Sequence, residues 1–461
     1  MLKQSLIGDR QFYRNVFSVA LPLLIQNVIT TFVSLLDNIM VGRIGTEPMS
    51  GVAISNQLLF VVNLGLFGMI SGIGIFTSQY HGKGDDEGVC KTFRIKLVCA
   101  AVFIGAAIII LSIFGDRLIW TYLHEGESGV DLQTVYGYGK AYLSRVMLGL
   151  PFFGLSQIYA GTLRETKQGT VPMAAGVTAV MLNLVFNYIL IYGKLGFPAM
   201  GVIGAAAATN ISRVAEFSIN MIWAHTHKDR AVFAKSVFGR HHISAAMLGK
   251  VLLTAAPLFL NEFLWSAGQT VLNQIYSQKG IEVVPAINIS GAAVNLFMTF
   301  YLAMGNALSI IVGHALGRDA KEEAVDTDNK LIFMTTVSTL IIAVITFLSA
   351  DVIVNIYNTS AEVKALASSF IRISAVLMPI DATVICYYFT LRCGGKTFIT
   401  FLFDSCFSWV VSIPLAWVLL HYTELNILMM YAAVVSATVL KLIVGMILVK
   451  KKLWVNNLVE D

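Results

Sequence analysis

Two carboxylates, Glu262 and Asp381, stand inside long apolar stretches of the chain. At about 1.5 Å per helical residue, they lie about 16 Å and about 15 Å from the same-side ends of those stretches. Charges at such depth in hydrocarbon are costly and point to function. Two acids in one dry site can share a proton or hold a cation between them. Either behaviour couples ion movement to a conformational change. No Lys or Arg lies within one helical turn of either acid in sequence. A buried acid satisfied by neighbouring hydrogen-bond donors is the alternative reading.

Asp37 lies about 31 Å along its own stretch, just before the turn Gly42-Arg43-Ile44-Gly45. Asn183 and Asn187 are one helical turn apart and share a face, about 18 and 24 Å along theirs. Amide oxygens on one face can coordinate a small cation or bind a substrate, and they can equally tie helices together. The remaining charges read as structural. Arg213 and Glu216 are spaced to neutralise one another. Arg372 and Lys441 lie close enough to stretch ends to snorkel. Asp351 and Asp404 sit towards stretch ends.

The elements that must hold these residues follow from composition. Hydrophobic residues make up 56% of the 461, and charged residues 13%. A soluble domain carries about 25% charge. So few charges exclude a water-exposed surface, a disordered chain and a coiled coil. Twelve stretches are long enough to cross a bilayer as helices: 16–40, 51–79, 96–120, 137–163, 171–193, 201–224, 251–276, 284–312, 331–357, 365–391, 398–420 and 426–449. Their length, with no period-two alternation, excludes a barrel. The first stretch is too long for a cleavable signal and is expected to remain.

Basic residues set the orientation. Only Arg43, Arg117, Lys194, Lys279 and Lys364 fall in one set of loops; most of the others fall in the opposite set and at the termini. Both termini are therefore expected on the cytoplasmic side of the plasma membrane. The long basic connection His225–Lys250 then faces the cytoplasm.

The chain also matches itself. At a shift of 235, Pro22 falls on Pro257, Asn38 on Asn273, Gly45 on Gly280, Ile54-Ser55 on Ile289-Ser290, and Gly82 on Gly317. At a shift of 228, Pro151 falls on Pro379 and Thr162-Leu163-Arg164 on Thr390-Leu391-Arg392. Two six-helix lobes, 1–230 and 231–461, follow as a parallel repeat. Paired bundles that rock about a central cavity suit a transporter.

No chemistry-bearing motif competes with that reading. The five cysteines are scattered without CxxC, and no HExxH, GxSxG, GxGxxG or P-loop pattern occurs. His241-His242, in the basic loop, reads as a solvated pair rather than a metal site. Neither an enzyme, a cofactor, a resident metal nor a nucleic-acid partner is expected. The 17 methionines can line a promiscuous cavity or serve as ordinary core.

Several segments together resemble the multidrug and toxic-compound extrusion (MATE) transporters over nearly the whole chain. They are Leu21-Pro22 through Leu36-Asp37-Asn38-Ile39-Met40-Val41-Gly42-Arg43-Ile44-Gly45, Gly72-Ile73-Gly74 to Gly84-Asp85, Gly161-Thr162-Leu163-Arg164 through Pro172-Met173 to Asn187, and Gly201-Val202-Ile203-Gly204-Ala205 to Thr209. The resemblance implies an all-α membrane fold of twelve transmembrane helices in two pseudo-symmetric six-helix lobes. It implies export of amphipathic organic cations and drugs by a monomer in the bilayer, in exchange for Na⁺ or H⁺. Asp37 with Asn183, Asn187 and Thr209 then matches the N-lobe cation or proton site. Glu262 and Asp381 match the acidic pair of NorM-type members, where Na⁺ can bind. Members with a second acid on the fifth helix differ here, since this chain has Asn187; that departure favours the C-lobe pair. An exporter of one endogenous metabolite and a flippase for a lipid-linked precursor remain open on the same fold.

Overall fold

The computed structural model describes residues 6–123, 131–237 and 243–460; His124 and the His241-His242 pair lie outside them. Twelve helical rods run through the described residues. They are α1 (Arg10–Gly42), α2 (Thr46–Lys83), α3 (Asp86–Tyr122), α4 (Leu132–Glu165), α5 (Thr170–Tyr192) and α6 (Gly201–Thr226). Then follow α7 (Ala245–Ser277), α8 (Val283–Gly317), α9 (Lys321–Asn355), α10 (Ala361–Cys393), α11 (Thr397–Tyr422) and α12 (Ile427–Lys450). Each overlaps one of the twelve apolar stretches. Eleven are long and apolar enough to span a bilayer; α6 falls short because Asn210, Arg213, Glu216 and Asn220 interrupt it.

The way a rod turns its faces shows that its solvent is lipid. From Leu331 onwards the buried residues of α9 are Leu331, Thr335, Thr339, Ala343, Thr346, Ala350 and Val354, mostly small and spaced three or four apart. Its exposed face carries Leu340, Ile341, Val344, Ile345, Leu348 and Val352. Small residues inward and large apolar ones outward reverse the pattern of a soluble helix; close backbone approach replaces hydrophobic burial as the packing force. Helix starts are fixed locally. Asp85, Ser360 and Asn426 cap α3, α10 and α12 by accepting the backbone N–H three residues on, each contributing about 1 kcal/mol.

The chain forms two compact units. The N unit comprises Ile25–Thr77 and Asp85–Leu252; the C unit comprises Met1–Leu24, Ser78–Gly84 and Leu253–Asp461. In the N unit, the basic connection after α6 folds back. Its short 3₁₀ turn Val232–Val237 buries Phe233 against Phe93 of α3 (centroids 4.7 Å apart) and near Tyr159 of α4. Gly204 of α6 lies so close to α5 that a Cβ there would stand 2.6 Å from the Leu190 carbonyl.

The C unit contains the repeat's sharpest signature. A Cβ on Gly82 would meet the His314 carbonyl oxygen at 2.2 Å, and one on Gly317 would meet that of Gln79 at 1.9 Å. Gly82 and Gly317 are repeat partners at the shift of 235, and so are Gln79 and His314. The ends of α2 and α8 thus cross reciprocally through two glycines. Gly45 and Gly280, also partners, share φ values of +155° and +157°. Beyond α12 the chain returns as a strap. Trp454 and Val459 are buried, and Gln79 accepts the Leu458 N–H at 2.7 Å while donating to the carbonyls of Cys393 and Asn456.

Candidate functional site

In the N unit, α1 and α5 bring three of the expected residues together. Asn187 donates through Nδ2 to Asp37 Oδ1. The Asn183 amide lies 3.0 and 3.2 Å from the two Asp37 oxygens. Both asparagines are buried, and the Asn187 side-chain oxygen has no hydrogen-bond partner. One carboxylate and two amides therefore converge, with an acceptor left over. Thr209 of α6 joins through a residue the sequence reading passed over. The buried Tyr142 of α4 stands beside Thr209 and Asn56 and lies within electrostatic reach of Asp37. Tyr142 sits 105 residues from Asp37 in a polar stretch of α4, so no spacing rule could mark it.

The C unit treats its acids differently. Glu262 of α7 has Arg392 and Asp404 as its charged neighbours. Asp381 of α10 accepts the Thr438 hydroxyl at 2.7 Å and has Lys441 in electrostatic reach. The two acids thus have different basic groups near them, and no hydrogen bond joins them. What stands among these charges is an ion pair, Lys441 Nζ to Asp404 Oδ1 at 2.6 Å. Asn261 of α7 donates to the other Asp404 oxygen at 3.0 Å. Asn261 is fixed in turn by Ser405, whose N–H and hydroxyl reach its side-chain oxygen at 3.2 and 2.7 Å. Asp404 lies in a π-helical turn, Leu402–Cys406, where an extra residue re-aims side chains, as often happens at working sites.

Several expected roles change. Lys441 does not simply snorkel; it pairs with Asp404, because α11 brings a carboxylate within reach of its ammonium. Arg372 likewise pairs with Asp351 at 2.6 Å. Glu216 has Arg164 as well as Arg213 in electrostatic reach. Lys96, fully buried on α3, was missed altogether. It pairs with Glu165 and reaches Thr162 Oγ1 at 3.2 Å. Gly74 makes room for that pair, since a Cβ there would strike the Glu165 carboxylate. A lysine so enclosed does not line a groove for a pyrophosphate, which weighs against the flippase alternative.

The MatE family model matches residues 22–189 and again 257–418. The two matches begin 235 residues apart, at Pro22 and Pro257, the offset at which the chain repeats itself. Among curated proteins, a probable multidrug resistance protein NorM of Thermotoga maritima is 24% identical, covering 90% of this chain and 87% of its own. A probable multidrug resistance protein YoeA of Bacillus subtilis is also 24% identical, over 90% and 89%. Among solved structures, MATE in the bent conformation superposes with a TM-score of 0.86 at 20% identity, over 97% of this chain and 96% of that one. An outward-facing MATE transporter of the MOP superfamily gives 0.84 at 21%, with the same coverage. At such identities these superpositions establish the twelve-helix fold.

Proposed function

The chain belongs to the MatE family, a transporter and not an enzyme, and on that footing we propose that it exports amphipathic organic cations and drugs across the plasma membrane in exchange for Na⁺ or H⁺. Its two lobes, 1–230 and 231–461, work by alternating access, with both termini cytoplasmic. Relatives over most of the chain are named for multidrug resistance, which supports the substrate class. The observation that carries the coupling is the placement of Glu262 and Asp381 within α7 and α10, each with a basic group as its charged counterweight.

The mechanism is competition for negative charge. A cation entering from outside neutralises Glu262 and Asp381. A bound organic cation then loses its electrostatic partner and leaves outward. The emptied carboxylates favour loading from the cytoplasm. The two fluxes are linked because each ligand lowers the affinity for the other. Asp37, with Asn183 and Asn187 supplying amide dipoles and Thr209 linked through Tyr142, is a second cation site in the N unit.

The test is ethidium efflux from vesicles with Na⁺ and pH gradients imposed separately. One gradient alone is expected to drive efflux and so name the ion. Glu262→Gln and Asp381→Asn are each expected to cut ion-driven efflux by about tenfold or more, within the usual range of coupling energies. Full ion-driven efflux in both variants would sink the reading.

A further inference from the structure

The surroundings of Lys441 look like a binding site with its ligand in place. Its ammonium lies 2.6 Å from Asp404 Oδ1 and 5.6 and 5.8 Å from the ring centroids of Phe403 and Phe407. A carboxylate and two phenyl faces around one ammonium are the groups that recognise an organic cation: the carboxylate supplies charge, and each ring face a negative quadrupole. All three come from the π-helical stretch of α11, whose two turns, Leu402–Cys406 and Ser408–Ser412, flank Phe407. Asn261 and Ser405 hold the carboxylate from behind through the bonds already described. The site is therefore built and braced independently of Lys441, which arrives from another helix, α12. The ammonium and carboxylate side chains remain 14% and 20% exposed, so the pair is not sealed inside the protein.

We propose that Asp404, Phe403 and Phe407 form a binding site for alkylammonium ions, and that Lys441 occupies it as a tethered internal ligand. An exported organic cation enters by displacing the lysine, which holds the carboxylate neutral between transport events. The transport consequence rests on the organic-cation reading above; the binding itself does not. If Lys441 merely balances a buried carboxylate, the rings and the open edge have no part, and an ion of the wrong shape serves as well as an amine.

Chemical rescue separates these. Lys441→Ala removes a propylammonium-sized piece. The full-length purified variant is melted in n-propylammonium chloride and, at matched ionic strength, in KCl. The proposal expects Tm to rise with the logarithm of amine concentration, as for a ligand that binds the folded state. It expects a much smaller amine-specific rise in the wild type, where the amine must displace the lysine, and none in Lys441→Ala/Asp404→Asn. Tetramethylammonium, a rounder cation, is expected to act like propylammonium. Equal melting of Lys441→Ala in amine and KCl would overturn it, as would an equal amine effect in the wild type. If Lys441→Ala is recovered only as aggregate, extraction in propylammonium must restore folded protein, and failure to do so counts against the proposal equally. Amine binding without efflux would count against the transport reading alone.

Discussion

Asp37 and Asp404 are both carboxylates set into membrane helices, and the two units compensate them in opposite ways. Asp37 is met by the amides of Asn183 and Asn187, which stabilise its charge without cancelling it. Asp404 is met by the Lys441 ammonium, which cancels it. An amide-lined carboxylate can accept a cation and release it with little rearrangement. A carboxylate already in an ion pair yields only when the lysine is displaced. The first arrangement suits loading a small ion, the second suits exchange. Charge cancellation also has a structural side: removing one partner of a buried pair strands the other, whereas removing one donor from an amide set strands little.

The contrast can be pressed hardest at Lys96, the most enclosed ion-pair member. Lys96→Met leaves Glu165 uncompensated and should cost about 3–5 kcal/mol, read as a large fall in Tm or loss of folded protein. Lys96→Met/Glu165→Leu should recover most of it. Next comes Asp404→Asn, which strands Lys441; being partly exposed, that pair should cost less, about 2–3 kcal/mol by the same reasoning. If both variants melt like the wild type, ion pairing is not what distinguishes these sites. Thr438→Val removes one hydrogen bond to a charged group, Asp381, and should cost about 1.5–2 kcal/mol. The effect of Asn187→Asp, which places a second acid beside Asp37, is read in transport rather than in stability. Efflux should become more dependent on external pH than in the wild type, because two adjacent carboxylates cannot both ionise cheaply. An unchanged pH profile would show that Asn187 does not limit proton use at that site.

A second pair of regions sharpens the point within the repeat itself. Thr162 and Thr390 are duplicates in the Thr-Leu-Arg segments that close α4 and α10. In the N unit Thr162 meets a buried lysine, Lys96; in the C unit Thr390 donates at 2.6 Å to a buried acid, Asp328. The same scaffold position has thus been given opposite charge. Nothing in the sequence match foretold it, because the partners lie on α3 and α9, more than sixty residues away.

What could be read from residue order was whatever depends on a helix and its solvent. The apolar stretches located the rods, since backbone groups in lipid must be satisfied within one helix. The repeat was visible because glycines at crossings and prolines in helices answer to backbone geometry; Gly82 and Gly317 can be replaced by no larger residue at the α2–α8 crossing. Asn183 and Asn187 were legible as a face because helical spacing alone puts them there, and Asp37 could be named beside them only through the family resemblance. Pairing between helices was not legible. Lys441 had no acid within a turn, and Tyr142, Asp328 and Lys96 gave no sign of their partners. A single apolar helix carries no information about its rotation or its neighbours. By itself the sequence determined twelve membrane helices, their duplication and which residues were too polar for their place. Only the tertiary structure decided which of those residues face one another, because that depends on close packing between helices remote in the chain.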